Sequence, residues 1–286
     1  MQAQSIGHVR KGKRMVRRRR SGGAGGIGVR LLIAAVIAIF SVISFFGTRS
    51  TNEVTGETQY VDLSPEQEIA LGLQAAPEMI QQYGGLYPDE ELQALVDEVG
   101  QEVVTNSLAS QTPYQFEFHL LDDPNTVNAF ALPGGQIFIT TALLERLQTR
   151  AQLAGILGHE AAHVVARHGS EHLAKQKLTQ GLINSVGLGV GYEGAQLAAA
   201  VGQMVNMSYG RGDEIESDTY GVQFMADAGY DPRGMIRVME ILEEASGGSR
   251  QPEFASTHPN PGNRIENIRA VIDELYPNGV PEDLEQ

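Results

Sequence analysis

The alternation of apolar and polar residues changes character several times along the chain. Residues 31–48 (LLIAAVIAIFSVISFFGT) are apolar on every face, and no charge falls between Arg30 and Arg49. As a helix this run spans about 27 Å, close to the ~30 Å core of a bilayer. It predicts a transmembrane helix rather than a buried core helix. Residues 49–62 are polar and read as a linker. Ser64-Pro65-Glu66-Gln67 is a helix start, with Ser64 as N-cap, Pro65 at the first position and Gln67 closing a capping box; the helix runs to about Gln82. Pro88-Asp89-Glu90-Glu91 opens a second, with Leu92, Leu95, Val96, Val99 and Val103 at helical spacing. The period then becomes two. In residues 114–121, Phe116, Phe118 and Leu120 alternate with Gln115, Glu117 and His119. Residues 126–132 and 136–141 flank Pro133-Gly134-Gly135, which predicts a small sheet ending in a hairpin. Helical pattern resumes near Leu143. Three short strands in a mostly helical chain give an α+β fold.

Charge divides the chain further. Nine of the 21 Lys and Arg lie in residues 1–30, which contain no Asp or Glu; the remainder carries a net −23 out of the overall −14. Residues 1–30 read as a basic cytoplasmic tail and 31–48 as a membrane anchor. No A-x-A-like cleavage site follows Phe46, so the segment reads as a retained anchor rather than a signal peptide. By the positive-inside rule, residues 50–286 lie on the far side of a cytoplasmic (inner) membrane, in the periplasmic or extracytoplasmic space. The acidic balance argues against nucleic acid as a partner. Cysteine is absent, which removes disulfides and thiolate metal ligands. Residues 181–208 hold six glycines and one charge, Glu193. They read as helices that line or cover a site, or touch the membrane.

The chemistry is concentrated in His159-Glu160-Ala161-Ala162-His163, an H-E-x-x-H sequence. Positions i and i+4 share one helical face, so both imidazoles reach one metal ion, and Glu160 projects beside it, where it can hold a water. The surrounding Leu153, Ile156, Leu157, Val164 and Val165 predict a buried helix, where unpaired histidines are costly. A single Zn2+ ion per chain is the expected cofactor, and a catalytic zinc needs a third protein ligand. The H-x-x-G-x-x-H continuation is missing, because Ala166 and Gly169 occupy its positions. The residue nineteen places after His163 is Leu182, not Glu. Glu214 and Asp218, four residues apart, can share a face, Glu214 as ligand and Asp218 as acceptor for a ligand histidine's free N–H. Glu216 competes with Glu214, and spacing does not separate them.

The H-E-x-x-H helix, the Glu214–Asp218 pair, residues 128–144 (NAFALPGGQIFITTALL) and residues 256–265 (STHPNPGNRI) occur in one order. Together they resemble metallopeptidase family forty-eight of the gluzincins, and its periplasmic members most closely, over about residues 60–275. The resemblance implies a zincin-type domain over 63–280 with a three- to four-stranded sheet. It also implies Glu214 as zinc ligand, Asp218 as histidine orienter and His258 as a residue able to gate the zinc. Ser217 stands where the family commonly has Ala. His168 and His172 read as surface or cap residues.

The expected activity is zinc-dependent endoproteolysis of misfolded or misassembled envelope polypeptides, with Glu160 as general base. The unfolded or extended substrate would lie along an edge strand formed by Gln136, Ile137 and Phe138, and the resemblance to the gluzincins implies that Asn128 and Ala129 meet its backbone. Arg264 and Tyr220 are the candidates for stabilising the oxyanion. The alternative is a chaperone-like assembly factor with the same fold and little proteolysis. Oligomeric state is not encoded in these patterns.

Overall fold

The structure is a computed structural model, and it describes residues 24–187, 208–246, 253–259 and 262–286. The basic tail up to residue 23, and residues 188–207 of the Gly-rich stretch, lie outside them. Helix α1 (Ala24–Gly47) contains the apolar run, of which Val29–Gly47 is long and apolar enough to cross a bilayer. The segment read as a linker carries structure. Strands β1 (Arg49–Thr51) and β2 (Thr58–Tyr60) form an antiparallel ribbon. Asn52 Nδ2 ties it to the domain by donating to the Val165 carbonyl at 2.8 Å. A two-stranded ribbon needs little apolar surface of its own, so its composition resembles that of a linker.

Helix α2 (Pro65–Gln82) begins with the expected capping box on Ser64 and Gln67. Helix α3 (Glu90–Thr105) is capped by the Asp89 carboxylate, which accepts from the Glu91 and Leu92 amides. Strands β3 (Glu117–Leu121), β4 (Ala129–Ala131) and β5 (Gln136–Thr140) make a three-stranded sheet in the order β3-β5-β4. β4 and β5 form the expected hairpin, while β3 pairs parallel with β5. The strand expected to lie at the edge is therefore the central one. All five of its residues are buried, and both of its sides are taken by ladder partners. The outer side of β3 is covered by α3, whose Gln93 and Gln101 side chains donate to the Phe118 and Phe116 carbonyls. Among the described residues that leaves β4 as the edge strand, on which Ala129 and Phe130 are buried and Ala131 is partly exposed. At the hairpin Gly134 has φ 86, and a Cβ there would come within 2.4 Å of the Ile69 backbone, so the turn requires glycine.

After a single turn, α4 (Thr141–Leu144), comes α5 (Arg150–Val165), capped by Thr149. Every residue from Ala151 to Val165 is buried, so α5 is the axis of the domain rather than an amphipathic surface helix. Helix α6 (His168–Gly187) leaves it toward α1. Helices α7 (Arg211–Asp227) and α8 (Arg233–Ser246) pack on α5. Where α5 and α7 cross, a Cβ on Gly221 would sit 3.0 Å from the His159 amide nitrogen, so the two backbones approach almost directly. The short α9 (Glu253–Thr257) and α10 (Arg264–Leu275) close the domain. The chain stays folded beyond the expected limit of 280: the Glu285 amide donates to Gly229 O, and Arg150 Nε lies 2.7 Å from the Glu285 carboxylate.

Candidate active site

The fold gathers side chains from α5, α7 and the end of α9. His159 and His163 stand one turn apart on α5, with their Nε2 atoms 3.1 Å apart. Glu214 reaches them from the first turn of α7, its carboxylate oxygens 3.5 Å from His163 Nε2 and 3.7 Å from His159 Nε2. His258 follows α9 and places Nδ1 3.0 Å from Glu214 and 3.2 Å from His159 Nε2. One ligand atom from each of these four lies within 4.8 Å of all the others, and all four residues are buried. Glu216 points elsewhere: its carboxylate is partly exposed and lies 3.3 Å from His168 Nε2. Spacing left the two glutamates equal, and the packing of α7 on α5 separates them.

Each α5 histidine has its own orienting partner. His159 turns Nδ1 toward Asp218, 3.0 Å away, so its Nε2 lone pair faces the cluster. His163 turns Nδ1 toward His168 Nδ1 at 2.9 Å, and His168 in turn meets Glu216. His168 is 3% exposed, not a surface residue. Its place depends on Arg167, the one non-glycine residue with positive φ among those described (φ 62), which reverses the chain between α5 and α6. Both oxygens of the buried Glu68 carboxylate, each 3.1 Å from Arg167 Nε, hold that residue in place. A histidine five residues after a metal-helix histidine does not share its helical face, so spacing gave no signal for it. His168→Ala is expected to weaken metal affinity by about 10–100-fold, with partial recovery in His168→Asn, read by competition with a chelating dye. Equal affinity in wild type and His168→Ala would remove this role.

Arg264 is almost fully buried at the start of α10. Its guanidinium donates to both Asp218 oxygens at 2.7 and 2.6 Å, and lies 2.9 Å from Glu214. Two buried carboxylates engage all three of its nitrogens, so it braces the site. Tyr220 stands away from the cluster, its hydroxyl donating to the Thr55 carbonyl at 3.4 Å. Two aromatic side chains not signalled by any motif complete the walls. Tyr209 stacks on His163 at 4.0 Å between ring centroids, and Phe254 stacks on His258 at 4.3 Å.

The electrostatics follow from burial and charge. Burial raises the Glu160 carboxyl above the usual carboxylate range, against the pull of His258 and His159. Burial opposes ionisation of Glu214 too, but His258, His163 and His159 outweigh it and hold that carboxyl well below its ordinary value. Asp218 is buried but lowered by Arg264, and burial pushes His163 far down, which keeps its imidazole neutral and able to donate a lone pair. Both oxygens of Glu160 are buried without a hydrogen-bond partner, and one lies 3.5 Å from His258 Nε2. A carboxylate left bare beside three imidazoles and a second carboxylate fits a divalent cation with a water between it and the base.

The residues expected along the substrate are placed differently. Gln136 is buried and its amide oxygen lies 2.9 Å from His119 Nε2; Ile137 and Phe138 are buried in the central strand. Asn128 is buried, its amide donating to Glu253 at 3.1 Å and lying 3.4 Å from the Tyr83 hydroxyl, so it braces α9. Ala129 is buried on β4, opposite Ile139.

Helix-borne imidazoles, a carboxylate from a second helix and an unpaired buried glutamate together describe a metallopeptidase of the zincin type. The chain belongs to Peptidase family M48, whose sequence profile matches residues 90–272. It is similar to the beta-barrel assembly-enhancing protease of Escherichia coli K12, with 27% identity over 264 residues covering 86% of this chain and 53% of that protein. It is also similar to the mitochondrial metalloendopeptidase OMA1 of Schizosaccharomyces pombe, with 27% identity over 224 residues covering 77% of this chain and 66% of that one. The Bos taurus metalloendopeptidase OMA1 is 35% identical over 168 residues, 54% of this chain and 32% of its own. The chain spans about half the length of the first of these relatives.

Proposed function

We propose that the chain is a membrane-anchored zinc endopeptidase that cleaves extended segments of unfolded or misassembled envelope polypeptides. The observation that carries this reading is Glu160, a buried carboxylate with no partner of its own beside a cluster of metal-type donors. His159, His163 and Glu214 would hold the ion, and zinc bound there supplies an acidified water and a polarised scissile carbonyl. Glu160 takes a proton from the attacking water, and its raised affinity for that proton keeps it there until the leaving amine nitrogen accepts it. Asp218 and His168 fix the two imidazoles with Nε2 inward. His258 lies between base and ligands and acts as a gate that gives way when substrate enters.

The substrate strand is better assigned to β4 than to β5. In the antiparallel pair, Phe130 faces Phe138 and the flanking Leu132 and Asn128 exchange ladder bonds with Gln136 and Thr140. By the alternation of such ladders, the backbone groups of Ala129 and Ala131 point away from β5, with Ala131 the partly exposed one. A peptide adding to that edge would run past the small pocket lined by Ala131, Leu132, Gly134, His163 and Tyr209. Backbone pairing with little side-chain reading suits unfolded substrates. The Escherichia coli relative is named for enhancing beta-barrel assembly, which fits a substrate awaiting assembly. The apolar α1 supports a single span with the catalytic domain on the extracytoplasmic side.

The test is casein hydrolysis by the full-length protein in detergent. Cleavage should stop with a chelator and return with zinc, and His258→Ala should change its rate. Unchanged rate and metal content in that variant would remove the gate. Casein bound but left intact by the zinc-loaded protein would favour the assembly-factor reading instead.

A further inference from the structure

Helix α6 does more than carry His168. From its first turn beside the metal cluster it runs antiparallel along α1, the two helices in contact over much of its length. Three contacts set the depth. Lys177 Nζ lies 2.6 Å from Asp62, next to Val61, whose amide donates to the Thr48 carbonyl just past the end of α1. One turn further, a Cβ on Gly181 would fall 2.3 Å from Ser41 Oγ, so glycine and serine let the two backbones meet. Ser41 is six residues before Gly47, about 9 Å inside the apolar span. Between these points a cavity of about 210 Å³ opens between the helices, lined by Phe40, Ser44, Phe45, Ala174 and Leu178.

The sequence of α6 changes at the same level. Glu171, His172, Lys175 and Lys177 occupy its first half; Leu178–Gly187 contains no charged residue. Within that second half Leu182 is 37% and Ile183 58% exposed, comparable to the Ile39 and Phe40 surface of α1 beside it. Large apolar side chains on a helix held level with a membrane span face hydrocarbon, not water. Lys177, in the cavity wall with Thr48, marks the boundary, where long cationic side chains reach the headgroups.

We infer that the second half of α6 is immersed in the same leaflet that α1 leaves, seating the protease domain on the bilayer with α6 as the second contact. Resting on the reading of α1 as a membrane span, the inference names phospholipid acyl chains as what covers Leu182 and Ile183. It places the mouth of the site a few helical turns from the membrane surface, where polypeptides stalled at that surface are the nearest substrates.

The absence of cysteine makes the test direct. Single spin labels at Phe40→Cys on α1, Ile183→Cys on α6 and Leu73→Cys on exposed α2 would be measured in the full-length protein in phosphatidylglycerol–phosphatidylethanolamine vesicles. Relaxation by oxygen reports hydrocarbon and relaxation by a water-soluble nickel chelate reports solvent. The expected result is loss of nickel relaxation at both Phe40→Cys and Ile183→Cys, and strong nickel relaxation at Leu73→Cys. Nickel relaxation at Ile183→Cys equal to that at Leu73→Cys, with Phe40→Cys still protected, would overturn the seat and leave the anchor standing. Nickel relaxation at all three would overturn both.

Discussion

Glu160→Gln is expected to lower casein cleavage by about two to four orders of magnitude while the metal content matches that of the wild type. The substitution keeps the shape of the side chain and removes only its ability to take a proton. Glu160 is not placed as a ligand: its nearest charged neighbour is His258 Nε2 at 3.5 Å, and neither carboxylate oxygen has a hydrogen-bond partner to lose. Stability should not fall. A buried carboxyl whose proton affinity is raised by burial is costly to ionise, and a neutral amide avoids that cost. Rate and metal content measured on one preparation decide the matter. A variant that keeps its zinc and more than about a tenth of the wild-type rate would show that another group does the base's work.

The second large effect concerns stability. Glu160, Glu214 and Asp218 are three buried carboxyl groups, and Arg264, 1% exposed, is the cation set among them. With a divalent ion bound, the ion and Arg264 would together balance three carboxylates if all were ionised, so each positive charge would carry part of the site. Arg264→Met keeps much of the apolar stem and removes the guanidinium that holds Asp218 through two hydrogen bonds and Glu214 through a third contact. Removing one partner of a buried network costs about 3–5 kcal/mol, because the charges left behind remain desolvated. Urea unfolding in the presence of a chelator should show that loss, and saturating zinc should restore part of it. An unchanged unfolding midpoint for Arg264→Met would mean that the three carboxyls do not depend on this arginine.

Where the sequence was informative, the reason is geometric. The His159/His163 pair is legible because four residues make one helical turn, and the capping box at Ser64 because its bonds are local. Three mostly apolar segments near a Pro-Gly-Gly turn gave the α+β fold and its hairpin. What stayed hidden depends on tertiary contacts. Alternation says which face of a strand is buried, not which strands are neighbours, so the parallel pairing of β3 with β5 was not visible. A cue did exist: Gln136–Thr140 is apolar on both faces at its centre, which suits an interior strand rather than an edge. His168 and Arg264 are ordinary polar residues in the chain and acquire their places only through the reversal at Arg167 and the docking of α10. The preference for Glu214 over Glu216 likewise comes from the close crossing of α5 and α7 at Gly221.

The order of these parts along the chain also fixes when the site can exist. His159 and His163 come first, Glu214 and Asp218 follow, and His258 and Arg264 come last. In the proposed topology the basic tail stays behind and the segment nearest α1 crosses first, so a partly translocated chain would present the imidazole pair without its carboxylate. It then presents the carboxylates of α7 without the guanidinium that makes their burial tolerable. Only when α10 docks are donors, base and counter-charge together. These contacts are long-range, so their closure belongs late in folding. A half-translocated copy beside unfolded neighbours of its own kind would therefore be unable to cut them, and competence would arrive together with the compact fold.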